Sequence, residues 1–234
     1  MKSTLIILTL NEIEGIKAIY DHIPLSEVDQ VLVVDGGSID GTIEFFKRNG
    51  ITVIVQKLKG RGEAFRIARK ETKGDCLIFF SPDGNEDPRD ILKLIVKLKE
   101  GYDLVIASRF MKGGHNEEDD VLLPWRAWAN RVFTFLVNII WNRDRYITDT
   151  INGFRAITKE AFDKMEIDAP GFVIEYQMSI RAMKLNLKIA EIPTYEANRI
   201  GGESTARSLP TGILFLKFLF KELYNGKNFS NLNK

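Results

Sequence analysis

Short apolar segments alternate with helical patterns over the first 110 residues. Runs rich in β-branched and aromatic residues predict strands, and most of these runs precede a segment with apolar residues at helical spacing. Strands that are apolar throughout are typical of parallel sheets covered on both faces. The alternation therefore predicts an α/β fold in which helices flank both faces of a mainly parallel central sheet. The predicted strands are residues 4–8, 31–34, 52–55, 76–80 and 104–107, and the predicted helices are residues 12–20, 43–48, 63–70 and 91–99.

Two polar residues are predicted to cap these helices. Asn11 stands before the first helix and Asp90 before the fourth, and both residue types accept hydrogen bonds from the free N–H groups of a first turn. In the fourth helix the spacing predicts an inward face made of Leu92, Ile95, Val96 and Leu98.

The pattern changes after residue 110, where residues 111–123 indicate a long polar loop. No Pro-, Gly- or Ser-rich linker divides the chain, so we expect a single domain over residues 1–224 and a disordered tail at 225–234. Helices are predicted at 125–141, 173–185 and 211–224, and strands at 153–157, 188–191 and 194–197.

Residues 31–42, VLVVDGGSIDGT, carry the clearest sign of a ligand site. Asp35 ends a buried parallel strand, and open α/β sheets bind ligands at that position. The alternative is that Asp35 and Asp40 only shape the turn, by side-chain hydrogen bonds to the following backbone. A dinucleotide-binding fingerprint is not indicated, because its glycines would follow the first strand, where TLNE (9–12) stands instead.

Composition narrows the function classes. The net charge of +1 gives no global field for nucleic acid, so we expect no nucleic-acid partner. The single cysteine, Cys76, excludes an internal disulfide and lies in an apolar run that predicts a buried thiol. His22 and His115 match no zinc-binding spacing. The apolar run near the amino terminus is too short for a signal peptide, and no stretch reaches the ~18 apolar residues of a membrane span. We therefore expect a cytoplasmic protein, free or on a membrane surface.

A series of short motifs resembles one enzyme family. The motifs, in chain order, are TLNE (9–12), VVDGGSIDGT (33–42), KGRG (59–62), SPDGNEDP (81–88), ASRF (107–110), TDTINGFRA (148–156), EIP (191–193), Arg199 and GES (202–204). This order resembles family 2 glycosyltransferases with a GT-A fold, and the second half resembles the dolichol-phosphate mannose or glucose synthase branch. The resemblance covers about residues 4–205. It implies transfer of a hexose, with inversion, from a GDP-mannose or UDP-glucose type donor to a polyprenyl or dolichyl phosphate.

The resemblance also implies where the donor binds. Residues 1–110 are expected to hold the nucleotide-sugar and residues 111–224 the acceptor. A carboxylate such as that of Asp35 is a strong acceptor for a base N–H or for ribose hydroxyls. For the basic loop residues Lys59 and Arg61, the alternative is a solvated surface. The resemblance assigns donor binding to Thr9, Leu10, Glu12, Asp35, Lys59, Gly60 and Pro82.

Asp83 is the predicted metal ligand and one of two predicted catalytic residues. Mg²⁺ and Mn²⁺ prefer oxygen ligands, and such a cation stabilises the charge that develops on a diphosphate leaving group. The family usually has two aspartates one residue apart and then a glutamine, where this chain has Ser81, Asp83 and Asn85. We expect Asp83 and Asn85 to hold the divalent cation, with lower affinity because the first acid is missing. Gly36 also replaces a second acid that is usual in the family.

The acceptor determines the rest of the predicted chemistry. A polyprenyl phosphate is largely anionic at neutral pH, because its second pKa is about 6, so it needs no general base. Asp149, the second predicted catalytic residue, would then position groups or stabilise charge at the sugar. A sugar-hydroxyl acceptor would need a base, with Asp149 the first candidate and Glu175 the second. Arg155 is expected to fasten the loop of Asp149 by pairing with a carboxylate. Phosphate binding is assigned by resemblance to Arg109, Arg126, Arg199 and Ser204, since guanidinium groups bind phosphate bidentately.

Two other functions stay open at this point. One is transfer to a sugar hydroxyl in the synthesis of a lipid-linked or surface polysaccharide. The other is a degenerate family member that binds a nucleotide-sugar without turnover, an interpretation that depends on Ser81 and Gly36.

Two apolar stretches favour a membrane surface. Residues 132–141 are apolar nearly all round, and residues 213–224 combine phenylalanines and leucines with Lys217 and Lys221 one turn apart. Such helices lie in the interface of a bilayer. We expect a peripheral protein on the cytoplasmic face of the membrane, the alternative being ordinary core or dimer-contact helices.

Overall fold

A computed structural model describes residues 1–200 and 208–226. The seven strands in these residues are β1 (Ser3–Thr9), β2 (Gln30–Asp35), β3 (Thr52–Val55), β4 (Cys76–Phe80), β5 (Leu104–Ser108), β6 (Arg155–Thr158) and β7 (Ile189–Pro193). They form one sheet in the order β3-β2-β1-β4-β6-β5-β7. Within it β6 runs antiparallel to β4 and β5, and the other neighbouring pairs are parallel. The predicted mainly parallel sheet is confirmed.

Helices cover both faces of this sheet, as predicted. They are α1 (Ile13–Ile19), α2 (Thr42–Arg48), α3 (Arg61–Glu71), α4 (Asp90–Lys99), α5 (Trp125–Trp141), α6 (Lys159–Lys164), α7 (Ile174–Lys184) and α8 (Ser208–Asn225). Alternate residues of each strand enter two separate cores, so that Leu5 and Ile7 of β1 pack with α1, α2 and α4. Ile6 and Leu8 belong to the core that holds α3 and α5 to α8. Cys76 is fully buried in β4, as predicted.

Both predicted helix caps are wrong. Asn11 has a φ of +57° and lies before the helix, and its side-chain oxygen accepts a hydrogen bond from the Ile39 N–H at 2.9 Å. Asp90 lies inside α4, and its carboxylate accepts from the Thr194 hydroxyl at 2.7 Å and from Lys93 Nζ at 2.6 Å. Long-range partners therefore take both side chains away from capping.

Two other predictions need correction, and one helix was not predicted. In α4, Leu92 and Val96 are 38% and 54% exposed, because Ile91 and Leu94 take the inward positions beside Ile95 and Leu98. Residues 194–197 form no strand, because the Glu196 N–H donates to the His115 carbonyl and the Ala197 N–H to the Asn85 carbonyl. The short helix α6 was not predicted, and the Thr158 hydroxyl caps it at the Ala161 N–H.

The last helix ends one residue later than predicted. The predicted disordered tail begins at 225, whereas α8 continues to Asn225, and residues 227–234 lie outside the described part. Strands from both halves of the chain share the one sheet. None of the helices in the described residues is long and apolar enough to cross a bilayer.

Candidate active site

An elongated pocket crosses the carboxyl ends of β3, β2, β1 and β4, where Gln56, Gly36, Leu10 and Asp83 follow the strands. We call it the strand-end pocket. Its volume is about 730 Å³, within the range of about 300–1,000 Å³ typical of small-molecule sites. Of the residues predicted to bind a nucleotide-sugar, the pocket is lined by Thr9, Leu10, Glu12, Lys59 and Gly60. Gly60 has a φ of +122°, and an added Cβ would lie 2.5 Å from the Pro170 carbonyl oxygen, so only glycine fits this close approach.

Asp35 does not reach this pocket. It is fully buried, and one carboxylate oxygen accepts from the backbone N–H groups of Gly37 and Ser38 at 2.8 and 2.7 Å. The other accepts from the hydroxyls of Thr9 and Ser38, both at 2.6 Å. These four bonds occupy the side chain, so the turn-shaping alternative describes Asp35. Gly36, the next residue, lines the pocket in its place.

Asp40 also shapes this turn. Its carboxylate accepts from the backbone and hydroxyl of Thr42 and from the Ile13 N–H. Pro82 is buried, lies with its carbonyl oxygen against Gly15, and lines neither the strand-end pocket nor a second pocket between α5 and α8.

Two carboxylates share one guanidinium at the inner end of the pocket. Arg199 Nη1 donates to Asp83 Oδ2 at 2.9 Å, and Arg199 Nη2 donates to Glu12. Burial raises the pKa of Glu12 to about 7, although the positive charge of Arg199 opposes this. Because its pKa is higher in the folded state, Glu12 stabilises the fold at pH values below its ordinary pKa of 4.5. This contribution is lost as the pH rises through about 7. Burial likewise raises the pKa of Asp83.

The oxygens around Asp83 fit a hard divalent cation. Glu12 Oε2 and Asn85 Oδ1 are buried without a hydrogen-bond partner in the described residues. Oxygen atoms of this kind are the ligands of Mg²⁺ and Mn²⁺. Asp83 and Asn85 would hold the cation, which when bound neutralises charge on the phosphates of a diphosphate leaving group. No three or more His, Cys, Asp or Glu side chains of the described residues form a metal cluster, so substrate oxygens would complete the coordination.

A second pocket, of about 300 Å³, lies between α5 and α8, and we call it the helix-side pocket. Its apolar wall includes Trp125, Phe133 and Phe215. All three predicted phosphate-binding arginines, Arg109, Arg126 and Arg199, also line it. Arg126 is half exposed and pairs with Glu117 and Glu118. Ser204, the fourth predicted phosphate ligand, lies outside the described residues.

Asp149 holds Arg109 in place. Arg109 Nε and Nη2 donate to the two Asp149 oxygens at 2.7 and 3.2 Å, and Nη1 donates to Glu196 at 3.2 Å. Although burial alone would lower it, these carboxylates raise the pKa of Arg109. The N–H groups of Ile151 and Asn152 also donate to Asp149, which is fully buried and lines neither pocket. Asp149 therefore fixes the position of the Arg109 guanidinium.

Arg155 fastens the loop of Asp149, but not through a carboxylate as predicted. Its buried guanidinium donates to the backbone carbonyls of Thr150, Asn152 and Glu175 and to the Ser179 hydroxyl. The Glu175 carboxylate pairs with Arg61 and not with Arg155. Backbone carbonyls therefore serve as the main acceptors for the Arg155 guanidinium.

The two pockets meet around Asp83. Five residues line both, namely Arg61, Ser81, Asp83, Phe172 and Arg199. Arg61 is no solvated surface residue, because its side chain is 20% exposed and pairs with the buried Glu175 carboxylate. Cations and the Asp83 carboxylate thus surround the junction, where a reaction between two ligands would take place.

Sequence reasoning missed Gln56, Glu196 and Phe172, which line these pockets. Gln56 follows β3 and Glu196 follows β7, so the strand-end rule that singled out Asp35 could have found both. Glu86 lines the helix-side pocket, and its Oε2 accepts from the Ser81 N–H at 2.8 Å. Burial raises the pKa of Glu86 well above its usual value. Phe172 carries no local sequence signal.

Comparisons with known proteins agree with this architecture. The sequence model described as Glycosyl transferase family 2 matches residues 4–166. Glycosyltransferase AglJ of Haloferax volcanii is 32% identical over 214 residues, which cover 89% of this chain and 68% of that protein. Dolichol-phosphate mannosyltransferase of Pyrococcus furiosus is 29% identical over 212 residues, 87% of this chain, and this chain spans 59% of its length.

Similarity to solved structures identifies the fold. Glucosyl-3-phosphoglycerate synthase from Mycobacterium tuberculosis, in complex with Mn²⁺, uridine diphosphate and phosphoglyceric acid, superposes with a TM-score of 0.72 at 21% identity. The match covers 97% of this chain and 78% of that chain. The chain therefore has the GT-A fold, as the motif order implied.

Proposed function

This chain belongs to glycosyltransferase family 2 and uses a nucleotide-sugar, and we propose that it transfers a hexose from a nucleotide-diphospho-sugar to a polyprenyl phosphate. The strand-end pocket would hold the donor, with its diphosphate near Asp83 and Arg199. The helix-side pocket would hold the acceptor. The 29% identical Pyrococcus furiosus protein, a dolichol-phosphate mannosyltransferase, supports an acceptor of this class.

The chemistry of the helix-side pocket carries the proposal. Its wall combines the guanidinium groups of Arg109 and Arg126 with the aromatic rings of Trp125, Phe133 and Phe215. The guanidinium groups would bind a phosphate, and the aromatic rings would contact a prenyl chain. A small polar acceptor would leave the apolar wall without a ligand. A phosphorylated lipid is therefore the class of acceptor that uses the whole pocket.

The pocket junction suits direct displacement at the anomeric carbon. Inversion requires the nucleophile and the leaving group on opposite sides of that carbon, and the two pockets share the junction residues while different elements line the rest of each. The acceptor phosphate is an anion at neutral pH and needs no base. Arg109 would orient it, Arg61 and Arg199 would stabilise negative charge at the junction, and the apolar wall would exclude water that competes for the sugar.

The test supplies radiolabelled GDP-mannose or UDP-glucose with a short polyprenyl phosphate and Mn²⁺, and then extracts the mixture with organic solvent. We expect label in the organic phase with one donor, only when the polyprenyl phosphate is present. A chain that transfers label to free sugars or polysaccharide, and not to the lipid, would overturn the acceptor. A chain that binds the donor but neither transfers nor hydrolyses it would be a degenerate member.

One observation favours a second function, transfer to a hydroxyl acceptor. Glu86 lines the helix-side pocket, and burial raises its pKa well above the usual value, as in carboxyl groups that transfer protons. The structurally similar Mycobacterium tuberculosis enzyme has phosphoglyceric acid bound. Glu86→Gln distinguishes the two acceptors. If the nucleophile is a hydroxyl group, we expect the variant to lose transfer, together with one limb of the pH–rate profile. If the nucleophile is a phosphate, we expect neither loss.

Asp149→Asn is expected to raise KM for the acceptor by about 10–100-fold with a smaller effect on kcat, because an Arg109 held less firmly misplaces the phosphate. Steady-state kinetics with varied polyprenyl phosphate measures this split. The donor KM serves as the internal control and should stay within about twofold. A collapse of kcat with an unchanged acceptor KM would instead show that Asp149 acts on the reacting atoms.

We also propose that the enzyme sits on the cytoplasmic face of a membrane through an apolar face made by α5 and α8. The exposed residues on α5 recur at alternating steps of three and four, which places them in one stripe. They are Trp125, Trp128, Val132, Phe135 and Ile139, followed on α8 by Ile213, Leu216, Phe220 and Leu223. The helix-side pocket lies between these helices, so a lipid acceptor could enter from the bilayer.

Liposome flotation tests this membrane face. We expect the protein to float with anionic vesicles and Phe135→Glu combined with Phe220→Glu to remain in the soluble fraction, because each charge opposes burial in the interface. Val96→Glu is the matched control, since Val96 is equally exposed on α4, on the other face of the sheet. Wild-type protein that fails to float, or a control that fails equally, would contradict the proposal.

A further inference from the structure

The two ends of the strand-end pocket differ in chemistry. The end near β4 holds charged groups, Asp83 and Arg199. The end near β3 is bordered by Gly36 and Gly37, by the apolar side chains of Leu10 and Ile39, by the amide of Gln56 and by Lys59. The pocket crosses three strand spacings, or about 14 Å at ~4.8 Å each. An elongated ligand with an anionic end near Arg199 and a flat end that can hydrogen-bond near Gln56 fits this distribution.

Gln56 is held in one orientation at the β3 end of the pocket. Its Nε2 donates to the carbonyl oxygens of Leu58 and Gly60, at 3.3 and 3.0 Å. Rotating the amide by half a turn would set Oε1 against those two carbonyl oxygens, which is unfavourable. The Oε1 atom therefore has a fixed position as a hydrogen-bond acceptor, and Gln56 lines the pocket.

Gly36 leaves the space beside this acceptor open. A Cβ added to Gly36 would lie 3.5 Å from Gln56 Oε1 and 3.2 Å from Leu10 Cδ1. A side chain at position 36 would thus contact the amide oxygen and would require the Leu10 side chain to shift by a few tenths of an ångström. Asp35, the nearest acid, uses both oxygens within its own turn. Gln56 Oε1 is a side-chain acceptor of fixed position at this end.

We infer that Gln56 recognises the nucleobase of the donor, with Oε1 accepting a hydrogen bond from a ring N–H and with Gly36 providing the room. An acceptor in this position selects a base that carries a ring N–H on its pairing edge, as uracil does at N3 and guanine at N1. The inference rests on the proposed use of a nucleoside-diphosphate donor and assigns the residue that reads its base.

Methylation of the ring N–H gives a direct test by isothermal titration. Wild-type protein is titrated with UDP, GDP, N3-methyl-UDP and N1-methyl-GDP in the presence of Mn²⁺. We expect the preferred nucleotide to bind about 10-fold more tightly than its methylated analogue, the effect of one lost hydrogen bond to a partly buried group. In Gln56→Ala the ratio should fall to about one, because the acceptor is gone and the methyl group has space.

The ratio separates base recognition from loss of structure. Gln56→Ala also frees the Leu58 and Gly60 carbonyls, but a loosened loop weakens both ligands equally and leaves their ratio unchanged. Lys57→Ala, an exposed neighbour that lines neither pocket, should keep the 10-fold ratio. Gln56→Asn has a shorter side chain, which withdraws the amide oxygen from the base. This variant should also lose the 10-fold ratio.

Three outcomes would count against the inference in different ways. A wild-type ratio near one would overturn it, and so would a Gln56→Ala ratio equal to that of the wild type. In both cases the nucleotide still binds, so the proposed donor class stands. If neither UDP nor GDP bound the wild-type protein, the proposed donor itself would fail and the base-reading role with it.

Discussion

Asp83→Asn is expected to lower sugar transfer by about 10³-fold while the protein stays folded, because it removes the charge at the point where the two pockets meet. The substitution keeps the shape of the side chain. It leaves Arg199 with Glu12 as its acidic partner among the contacts described above, and it removes the carboxylate that would bind a divalent cation. Initial rates at saturating donor and Mn²⁺ measure the loss. Mn²⁺ binding in the presence of nucleotide, measured by electron paramagnetic resonance, should weaken in parallel.

Asp87→Asn is the matched control for this prediction. Asp87 lies in the same turn but pairs with the exposed Arg89 and lines neither pocket. Its transfer rate should stay within about twofold of the wild-type rate, since surface substitutions have small effects. An Asp83→Asn protein with full activity, or one that binds Mn²⁺ as tightly as the wild type, would show that the charge of Asp83 is not needed.

The fold was largely predictable because the inner strands β1, β4 and β5 are buried along their whole length. Such strands are continuous apolar runs, and their positions can be read within a residue or two. The orientation of α4 was not predictable in the same way. Its sequence, DILKLIVKLK, offers two adjacent apolar faces, and packing against the sheet decides that Ile91 and Leu94, rather than Leu92 and Val96, are buried.

The candidate site was predictable in its location but only partly in its residues. The strand-end rule finds the edge of the sheet, yet the local turn decides which side chain faces the ligand. At β2 the turn directs Asp35 into the protein and leaves Gly36 on the pocket wall. At β3 and β7, Gln56 and Glu196 line the pockets although no motif marks them. Contacts between distant segments, such as Asp149 with Arg109, depend on tertiary structure.

The position of α8 depends on a buried charge cluster that sequence patterns did not indicate. Glu222 is fully buried, and its Oε1 accepts from Gln177 Nε2 and Arg181 Nε, both at 3.0 Å. Its Oε2 accepts from Lys184 Nζ at 2.7 Å. Although burial alone would raise it, hydrogen bonds and the nearby positive charges lower the pKa of Glu222. One carboxylate thus fixes α8 to α7 beside the helix-side pocket.

Glu222→Gln is therefore expected to lower the free energy of unfolding by about 3–5 kcal/mol, because it leaves the buried cations Arg181 and Lys184 without this counter-charge. Urea unfolding at pH 7 measures the loss, and Lys217→Gln on the exposed side of α8 should change stability by less than about 0.5 kcal/mol. A carboxyl group whose pKa is lowered in the folded state stabilises the fold above its ordinary pKa of 4.5, and this effect is lost as the pH falls. The difference in unfolding free energy between mutant and wild type should therefore shrink in acid. A difference that stayed constant down to pH 3 would show that packing, rather than the charge of Glu222, holds α8 beside the helix-side pocket.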